Sequence, residues 1–136
     1  MNILELSIAG TPERHQVLAA LARALGVYEW ALIDEAAYWE ASPDARKQLV
    51  GYDLAMGHGT HPLRLDAYCD QDVYGEALGL IGRQMAIRLN VEVAVGDFMG
   101  GQDVVTGRFI VYAPDGSYRF AVECGVGGEF SLEFCE

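Results

Sequence analysis

Apolar and polar residues follow two different periods along this chain, and the same strand–helix–strand order occurs twice. In the first occurrence, residues 3–8 mix apolar and polar side chains as a half-buried strand does. The apolar positions of the next segment recur three or four residues apart, which places them on one helix face: Val17, Leu18, Leu21, Ala22 and Leu25. Residues 27–33 are then predicted to form the returning strand.

Capping residues indicate where this first helix begins and ends. Thr11 is a suitable N-cap, Pro12 is tolerated at the first helical position, and Glu13 lies near the positive end of the helix dipole. Gly26 stands where the left-handed conformation of a C-cap is expected. The sequence therefore predicts a helix over 12–25.

The second occurrence begins with residues 63–69, which alternate as a strand, and either Asp70 or Asp72 is expected to cap the following helix. That helix is predicted over 72–90 and the returning strand over 91–95. The apolar residues of the helix again have helical spacing: Val73, Ala77, Leu80, Ile81, Met85 and Leu89. Its three glycines each lower helix propensity by about 1 kcal/mol relative to alanine, so we expect close packing against the helix backbone at Gly75, Gly79 and Gly82.

The last third of the chain has the pattern of an antiparallel meander. Residues 108–112 and 118–124 are rich in β-forming side chains, and Pro114, Asp115 and Gly116 between them are a strong turn signal. Residues 125–128 form a second glycine-rich turn, and 130–134 are expected to close the sheet.

Together these patterns predict a single α+β domain over residues 1–136. Two strand–helix–strand units form a mixed sheet with both helices mainly on one face, and a C-terminal antiparallel hairpin extends it. The segment 36–62 is the least regular part. A short helix is expected within 36–50, and residues 57–62 are predicted to be a loop because glycine and proline flank its two histidines.

The charge of the chain restricts its partners. Twenty acidic residues stand against nine basic ones, so the net charge is −11 and the pI about 4.5, although 51% of the residues are hydrophobic. Such a chain can fold, but its negative field repels nucleic acid, whose recognition requires clustered lysine and arginine. The same field attracts cations and basic protein surfaces.

The predicted location of the protein depends on two kinds of segment, a membrane span and a signal peptide. No apolar run approaches the roughly 18 residues of a membrane span. Residues 1–5 lack the basic and apolar regions of a signal peptide. We therefore expect a cytoplasmic protein without membrane contact. Free thiols are expected in that compartment, and Cys124 and Cys135 can pair only if neighbouring strands bring them together.

Two histidines and a cysteine are candidates for metal binding or catalysis. His58 and His61 lie three residues apart, but zinc requires three or four ligands and the spacing alone is a weak signal, so no metal or cofactor is predicted. Cys69 with either histidine would form a thiol–imidazole pair, which requires hydrogen-bond reach. A buried strand cysteine is the simpler interpretation, and no catalytic residue is assigned.

Acidic and aromatic residues cluster around the second helix. Loops that follow strands meet at one edge of an α/β sheet, so the acids after the second strand, Asp34 and Glu35, are expected near those of the second unit. Three aromatic residues lie close in sequence to Asp34 and Glu35: Trp30, Tyr38 and Trp39. Tyrosine, tryptophan and charge complementarity are the usual energetic anchors of protein interfaces. The predicted partner-binding residues are Tyr68, Asp70, Asp72, Tyr74, Glu76, Asp97 and Phe98.

The chain resembles the small acidic immunity proteins of bacterial polymorphic and contact-delivered toxin systems. The resemblance lies in the segment 74–97 and in the following hairpin with its Pro114–Asp115–Gly116 turn. It implies a non-catalytic protein that binds a toxin domain tightly and blocks its active site. No motif of that family transfers individual binding residues.

Two other functions remain open at this point. One is a small α/β enzyme or ligand-binding domain with a pocket near His58, His61 and Cys69. Such a protein would have a concave pocket with perturbed acids or bases. The other is a homodimeric subunit, which would expose an apolar rather than an acidic surface.

Overall fold

The computed structural model describes residues 2–70, 73, 76–96, 107–125 and 129–135. In these residues the chain forms eight strands and four α-helices, which confirms the α+β class. The strands are β1 (Asn2–Ile8), β2 (Leu32–Asp34), β3 (Val50–Met56), β4 (Leu63–Cys69), β5 (Val93–Gly96), β6 (Arg108–Tyr112), β7 (Tyr118–Glu123) and β8 (Leu132–Phe134). The helices are α1 (Arg14–Leu25), α2 (Glu35–Glu40), α3 (Pro43–Arg46) and α4 (Glu76–Leu89), and a 3₁₀ turn spans Glu29–Ala31.

All eight strands belong to one mixed sheet in the order β2-β3-β4-β1-β5-β6-β7-β8. Only β2 and β3 pair in parallel, and every other neighbouring pair is antiparallel. Strand β1 lies between β4 and β5, so the β4–α4–β5 unit is split around it. The strands β3-β4-β1-β5 with α1 and α4 therefore have the β-α-β-β-α-β order of a split βαβ motif, and β6, β7 and β8 extend the sheet as the predicted meander.

The main core lies between one face of this sheet and the helices α1 and α4, which pack against each other. Alternate residues of β1 and β4 point into it, and their side chains are almost fully buried: Leu4, Leu6, Ile8, Leu65 and Ala67. Burying each of the leucine and isoleucine side chains contributes roughly 1.5–3 kcal/mol to stability. Close packing against the backbone of α4 is confirmed at two of the three predicted glycines, and the third, Gly75, lies outside the described residues. A Cβ atom at Gly82 would lie 2.8 Å from Val95 Cγ1, and one at Gly79 would lie 2.7 Å from Tyr112 Oη.

Several local predictions are confirmed. Gly26 and Asn90 follow α1 and α4 in the left-handed conformation, with φ of 71° and 56°. The hairpin between β6 and β7 turns at the predicted residues, where the Ala113 amide donates to the Ser117 carbonyl and Gly116 has φ of 87°. The turn predicted over 125–128 lies mostly outside the described residues and stays a prediction.

The helix starts differ from the prediction. Helix α1 begins at Arg14 with Glu13 as N-cap, because the Gln16 side chain accepts a hydrogen bond from the Glu13 amide at 2.9 Å. Thr11 is therefore not the N-cap. Helix α4 begins at Glu76, six residues after Asp70, so Asp70 does not cap it. Asp72, the alternative cap, lies outside the described residues.

Two strand predictions were wrong. Most of 27–33 is a turn with one 3₁₀ helix, and only Leu32–Asp34 pairs as a strand. Conversely, β3 lies inside the segment that was predicted to be irregular. Its apolar residues alternate at Val50, Tyr52 and Leu54, but Gly51 interrupts the pattern, and the segment is flanked by helical signals. The short helix predicted within 36–50 is present as two helices, α2 and α3.

The register of β7 and β8 separates two cysteines. Cys124 lies opposite Ser131, and Cys135 donates its backbone amide to Phe120. The two cysteines thus stand four ladder positions apart, or about 13 Å at the rise of a β-strand. A disulfide requires Cα atoms within about 7 Å, so this register does not pair them.

No helix in the described part of the chain is long and apolar enough to cross a membrane.

Candidate functional site

The face of the sheet that is turned away from α1 and α4, called the open face below, carries polar and aromatic side chains. In β4 the residues Leu63, Leu65, Ala67 and Cys69 point into the main core. Because side chains alternate along a strand, Arg64, Asp66 and Tyr68 lie on the open face.

Three carboxylates stand side by side on this open face. Asp66 in β4 is the cross-strand partner of Glu5 in β1 and also of Asp53 in β3. We call Asp53, Asp66 and Glu5 the acidic row. Like charges directly opposite each other on a sheet are destabilising, so this register opposes folding instead of favouring it.

A single arginine partly neutralises the acidic row. Arg64 Nε lies 3.2 Å from Asp66 Oδ1, and its Nη2 lies 3.7 Å from Glu5 Oε1. Hydrogen bonding to Asp66 raises the pKa of Arg64 above its ordinary value. Asp53 is exposed and forms no ion pair with a basic side chain of the described residues. The row therefore keeps unneutralised negative charge at the surface.

An aromatic cluster, consisting of Tyr38, Trp39 and Tyr68, lies next to the acidic row. The ring centroids of Tyr38 and Trp39 are 5.2 Å apart, those of Trp39 and Tyr68 5.6 Å, and those of Tyr38 and Tyr68 6.5 Å. Tyr38 is fully buried and Trp39 is 43% exposed. Burial raises the pKa of Tyr68, and the carboxylate of Glu35 raises it further.

Helix α2 brings two of these rings onto the sheet through a close approach at Gly51. Asp34 caps α2 by accepting a hydrogen bond from the Ala37 amide at 3.0 Å. Tyr38 then lies directly over β3, where a Cβ atom at Gly51 would come within 2.6 Å of Tyr38 Cγ. Glycine at this position of the strand is what lets the aromatic cluster form.

The hydroxyl of Tyr38 is buried and has no hydrogen-bond partner in the described structure. Burial raises the pKa of Tyr38, and the nearby Asp70 carboxylate raises it further. A buried unsatisfied hydroxyl costs about 1–3 kcal/mol, so Tyr38 is retained at some expense to stability.

The exposed ring of Trp39 already contacts a guanidinium of the same chain. Arg46 Cζ lies 5.8 Å from the Trp39 ring centroid, and Arg46 Nε donates to the Ala41 carbonyl at 3.2 Å. This is cation–π geometry, which stabilises by about 0.5–1 kcal/mol at an exposed site. The aromatic cluster is therefore chemically suited to basic side chains.

A groove of about 800 Å³ continues the open face beyond the acidic row. The groove forms because the sheet curls toward this face, so that the loop between β3 and β4 meets the segment before β8. Its lining includes Ile3, Glu5, Ser7, Ala55, Phe109 and Phe130.

Backbone and side-chain hydrogen bonds close the curl. The Phe130 amide donates to the His58 carbonyl at 2.9 Å, and the His61 amide donates to the Phe130 carbonyl at 3.4 Å. The Leu132 amide donates to Thr60 Oγ1 at 3.0 Å. These contacts, with the two that His61 makes below, are called the clasp. The loop that was predicted at 57–62 is thus anchored to the far end of the sheet.

His61 is buried and belongs to this clasp. The predicted loop over 57–62 had suggested an exposed histidine instead. Its Nδ1 lies 2.8 Å from Thr60 Oγ1 and its Nε2 lies 3.0 Å from Glu92 Oε1. Burial lowers the pKa of His61, although the hydrogen bond that His61 Nε2 donates to the Glu92 carboxylate acts in the opposite direction. A neutral ring that carries its proton on Nε2 satisfies both contacts, because the Thr60 hydroxyl then donates to Nδ1.

The suggested pair of Cys69 with His58 or His61 is not assembled. Cys69 ends β4 and is buried on the helix side of the sheet, whereas His61 precedes the start of β4. The seven residues from Leu63 to Cys69 span six steps, or about 20 Å. Among the described residues, no three side chains of histidine, cysteine, aspartate or glutamate converge as metal ligands.

The structure brings together part of the predicted partner-binding surface. Tyr68 belongs to the aromatic cluster, and Asp70 is exposed beside it at the end of β4. Glu35 reaches the same cluster from α2, as the expected convergence of these loops required. Glu76 is exposed in the helix layer, on the other side of the sheet. The remaining predicted residues, Asp72, Tyr74, Asp97 and Phe98, lie outside the described residues.

Sequence analysis did not identify the acidic row. Glu5, Asp53 and Asp66 are far apart in the sequence, and only strand order and register align them. Because β3 was predicted to be irregular, the sequence did not place Asp53 beside Asp66. The alternation in β1 and β4 gave a partial signal, since Glu5 and Asp66 occupy outward positions in both strands.

Comparison of the chain with models of protein families, with curated proteins and with solved structures found no match.

Proposed function

We propose that this protein is a non-catalytic binding protein that neutralises a basic protein partner through its open face. The observation that carries the proposal is the acidic row beside the partly exposed aromatic cluster. Carboxylates in direct cross-strand register repel each other and reduce stability. A bound basic partner would relieve this repulsion.

The two parts of the surface have different roles in this proposal. Glu5, Asp53 and Asp66, with Asp70 at the edge, would attract a basic surface over long range and increase the association rate. Trp39 and Tyr68 would provide the apolar contact that holds the complex together, since aromatic residues dominate the binding energy of interfaces.

The biological role that we propose is that of an immunity protein, in which the partner is a bacterial toxin domain. The net charge of −11 supports a basic partner, and the chain's resemblance to acidic immunity proteins supports a toxin. Cys69 does not pair with either histidine, so no thiol–imidazole pair supports the enzymatic alternative. The inhibitor needs no chemistry of its own, because occlusion of the toxin's active site is sufficient.

The test uses the product of the directly upstream gene, because immunity proteins are encoded beside their toxins. Surface plasmon resonance with this product should show a tight complex. Replacing Trp39 with alanine should increase the dissociation rate about 30-fold, as expected when an anchor worth about 2 kcal/mol is lost.

Trp30 provides a matched control for this variant. It is 66% exposed and stacks on Tyr28, away from the aromatic cluster, so Trp30→Ala should leave the dissociation rate unchanged. The unfolding free energy of both variants is measured in parallel. Equal effects of the two substitutions would contradict the proposed surface, and absence of any complex would contradict the immunity role.

A further inference from the structure

The clasp joins two short segments, the loop 57–62 and the segment 129–135. Among the described residues, neither segment contributes a side chain to the main core or to the apolar layer packed against it. The segment 129–135 instead places Leu132 in a smaller cluster with Ala94, Val111 and Ala121. Its strand β8 is an edge strand that pairs with β7 over three residues. The two segments can therefore separate while the main core stays packed.

The backbones of the two segments approach each other closely. A Cβ atom at Gly59, where φ is 111°, would overlap the carbonyl of Phe130, so this approach requires glycine. The Thr60 amide donates to Ser131 Oγ at 3.3 Å, and the Thr60 hydroxyl accepts from the Leu132 amide. Thr60 is thus the residue of the loop that contacts the segment 129–135 through both its backbone and its side chain.

The Thr60 hydroxyl links the protonation of His61 to the contact between the segments. Beside the neutral ring, the hydroxyl donates to His61 Nδ1 at 2.8 Å while its oxygen accepts from the Leu132 amide at 3.0 Å. A second ring proton turns Nδ1 into a donor, so the hydroxyl proton must point elsewhere. The hydroxyl then loses its acceptor, and its oxygen is shared between two donors. Protonation of His61 therefore weakens the bond to Leu132.

A charged His61 would also be poorly solvated in the closed clasp. Its side chain is 3% exposed, and the charged group in contact with it is the Glu92 carboxylate, which is 38% exposed. Burial lowers the pKa of His61 by more than Glu92 raises it. The other charged or titratable groups on the elements that meet at the clasp are exposed to solvent: His58, Arg64, Glu123, Cys124 and Glu129. The closed clasp accordingly favours the neutral ring.

We propose that the clasp is an acid-sensitive latch, in which a second proton on the His61 ring releases the segment 129–135 from the loop 57–62 while the main core stays folded. In the open clasp the ring is in water and titrates near pH 6.5, as an ordinary histidine does. Opening therefore takes up a proton below about pH 6.5 and becomes more favourable by up to about tenfold per pH unit. The inference goes beyond the proposed function, because it concerns the free protein and needs no partner.

Amide hydrogen exchange of the full-length protein at low urea concentrations tests the latch. The amides of Phe130 and Leu132 donate across the clasp, and the amides of β1 and β4 report on the main core. Local opening exposes little surface, so exchange at the clasp should be nearly independent of urea, whereas exchange in β1 and β4 should accelerate with urea. Between about pH 7.5 and about pH 5.5, the protection factors at the clasp, corrected for intrinsic exchange, should fall about five- to tenfold.

Two histidine variants identify the group that takes up the proton. His61→Gln does not titrate, so its clasp amides should have the same protection factors at both pH values. His58 lies in the same loop with an exposed side chain, and His58→Gln is the matched control that should keep the wild-type change. Circular dichroism verifies that both variants are folded. The urea and pH comparisons on the wild-type protein require neither variant, so they decide the matter even if His61→Gln does not fold.

Three results would contradict the latch. Equal urea dependence at the clasp and in β1 and β4 would overturn it, because the segments would then separate only when the whole protein unfolds. Clasp protection factors that do not change between the two pH values would overturn it as well. A fall on acidification that persists in His61→Gln would show that another group takes up the proton, and the proposed role of His61 would be wrong.

Discussion

At the scale of single residues, the open face contains groups that reduce stability. Tyr38 is the clearest of them, because its hydroxyl is buried without a partner in the described structure. Its ring, by contrast, is required, since it packs over Gly51 and supports Trp39 and Tyr68. Ring and hydroxyl can be separated experimentally by one substitution.

Tyr38→Phe keeps the ring and removes the hydroxyl. We expect the free energy of unfolding to increase by about 1 kcal/mol, because an unsatisfied polar group is no longer buried. Urea denaturation at neutral pH measures it. A loss of stability of similar size would show that the hydroxyl has a partner that stabilises the fold.

At the scale of secondary-structure elements, local sequence patterns were sufficient to predict those features that depend on residues close together in the chain. The alternation in β4 and β6 and the turn at Pro114–Gly116 were predicted correctly from the sequence, as were the left-handed caps at Gly26 and Asn90. Strand β3 was missed because Gly51 weakens its pattern. The reason for that glycine is the contact with Tyr38, which no local pattern contains.

The clasp is an element-scale feature that gives the fold a pH dependence. The pKa of His61 is lower in the folded protein than its ordinary value of 6.5, mainly because of burial. The unfolded chain therefore takes up a proton at a pH where folded His61 remains neutral. Stability that is present above about pH 6.5 is accordingly lost as the pH falls.

This dependence is measurable by urea denaturation at about pH 7.5 and about pH 5.5, a range in which an ordinary histidine side chain titrates and an ordinary carboxyl group does not. The unfolding free energy of the wild-type protein should be lower at the lower pH than at the higher pH. His61→Gln, which does not titrate, should be less stable at the higher pH and should lose less on acidification. Equal acid sensitivity of the two proteins would show that His61 does not carry the effect.

At the scale of the whole molecule, sequence composition predicts that any protein partner is basic, but it does not predict which surface carries the unneutralised acids. The acidic row exists only because strand order places β1 between β4 and β5, and because the register aligns Glu5 and Asp53 with Asp66. Those alignments depend on contacts between distant parts of the chain. Sequence analysis therefore named Tyr68 and Asp70, which are close in sequence, and did not name the row beside them.

The central claim is that the acidic row is kept for binding at the expense of stability, and Asp53 tests it most directly. Asp53 is exposed and forms no ion pair with the basic side chains of the described residues. Asp53→Asn removes one of three aligned charges with little change in shape. Glu133→Gln, at an exposed position of β8, is the matched control.

The measurement is the association rate constant with the upstream gene product at several salt concentrations, combined with the unfolding free energy of the same variants. The account predicts that Asp53→Asn folds more stably by about 0.5 kcal/mol yet associates more slowly, with a weaker salt dependence than wild type. Glu133→Gln should change neither quantity appreciably. A variant at Asp53 that is less stable and associates at the wild-type rate would contradict the account.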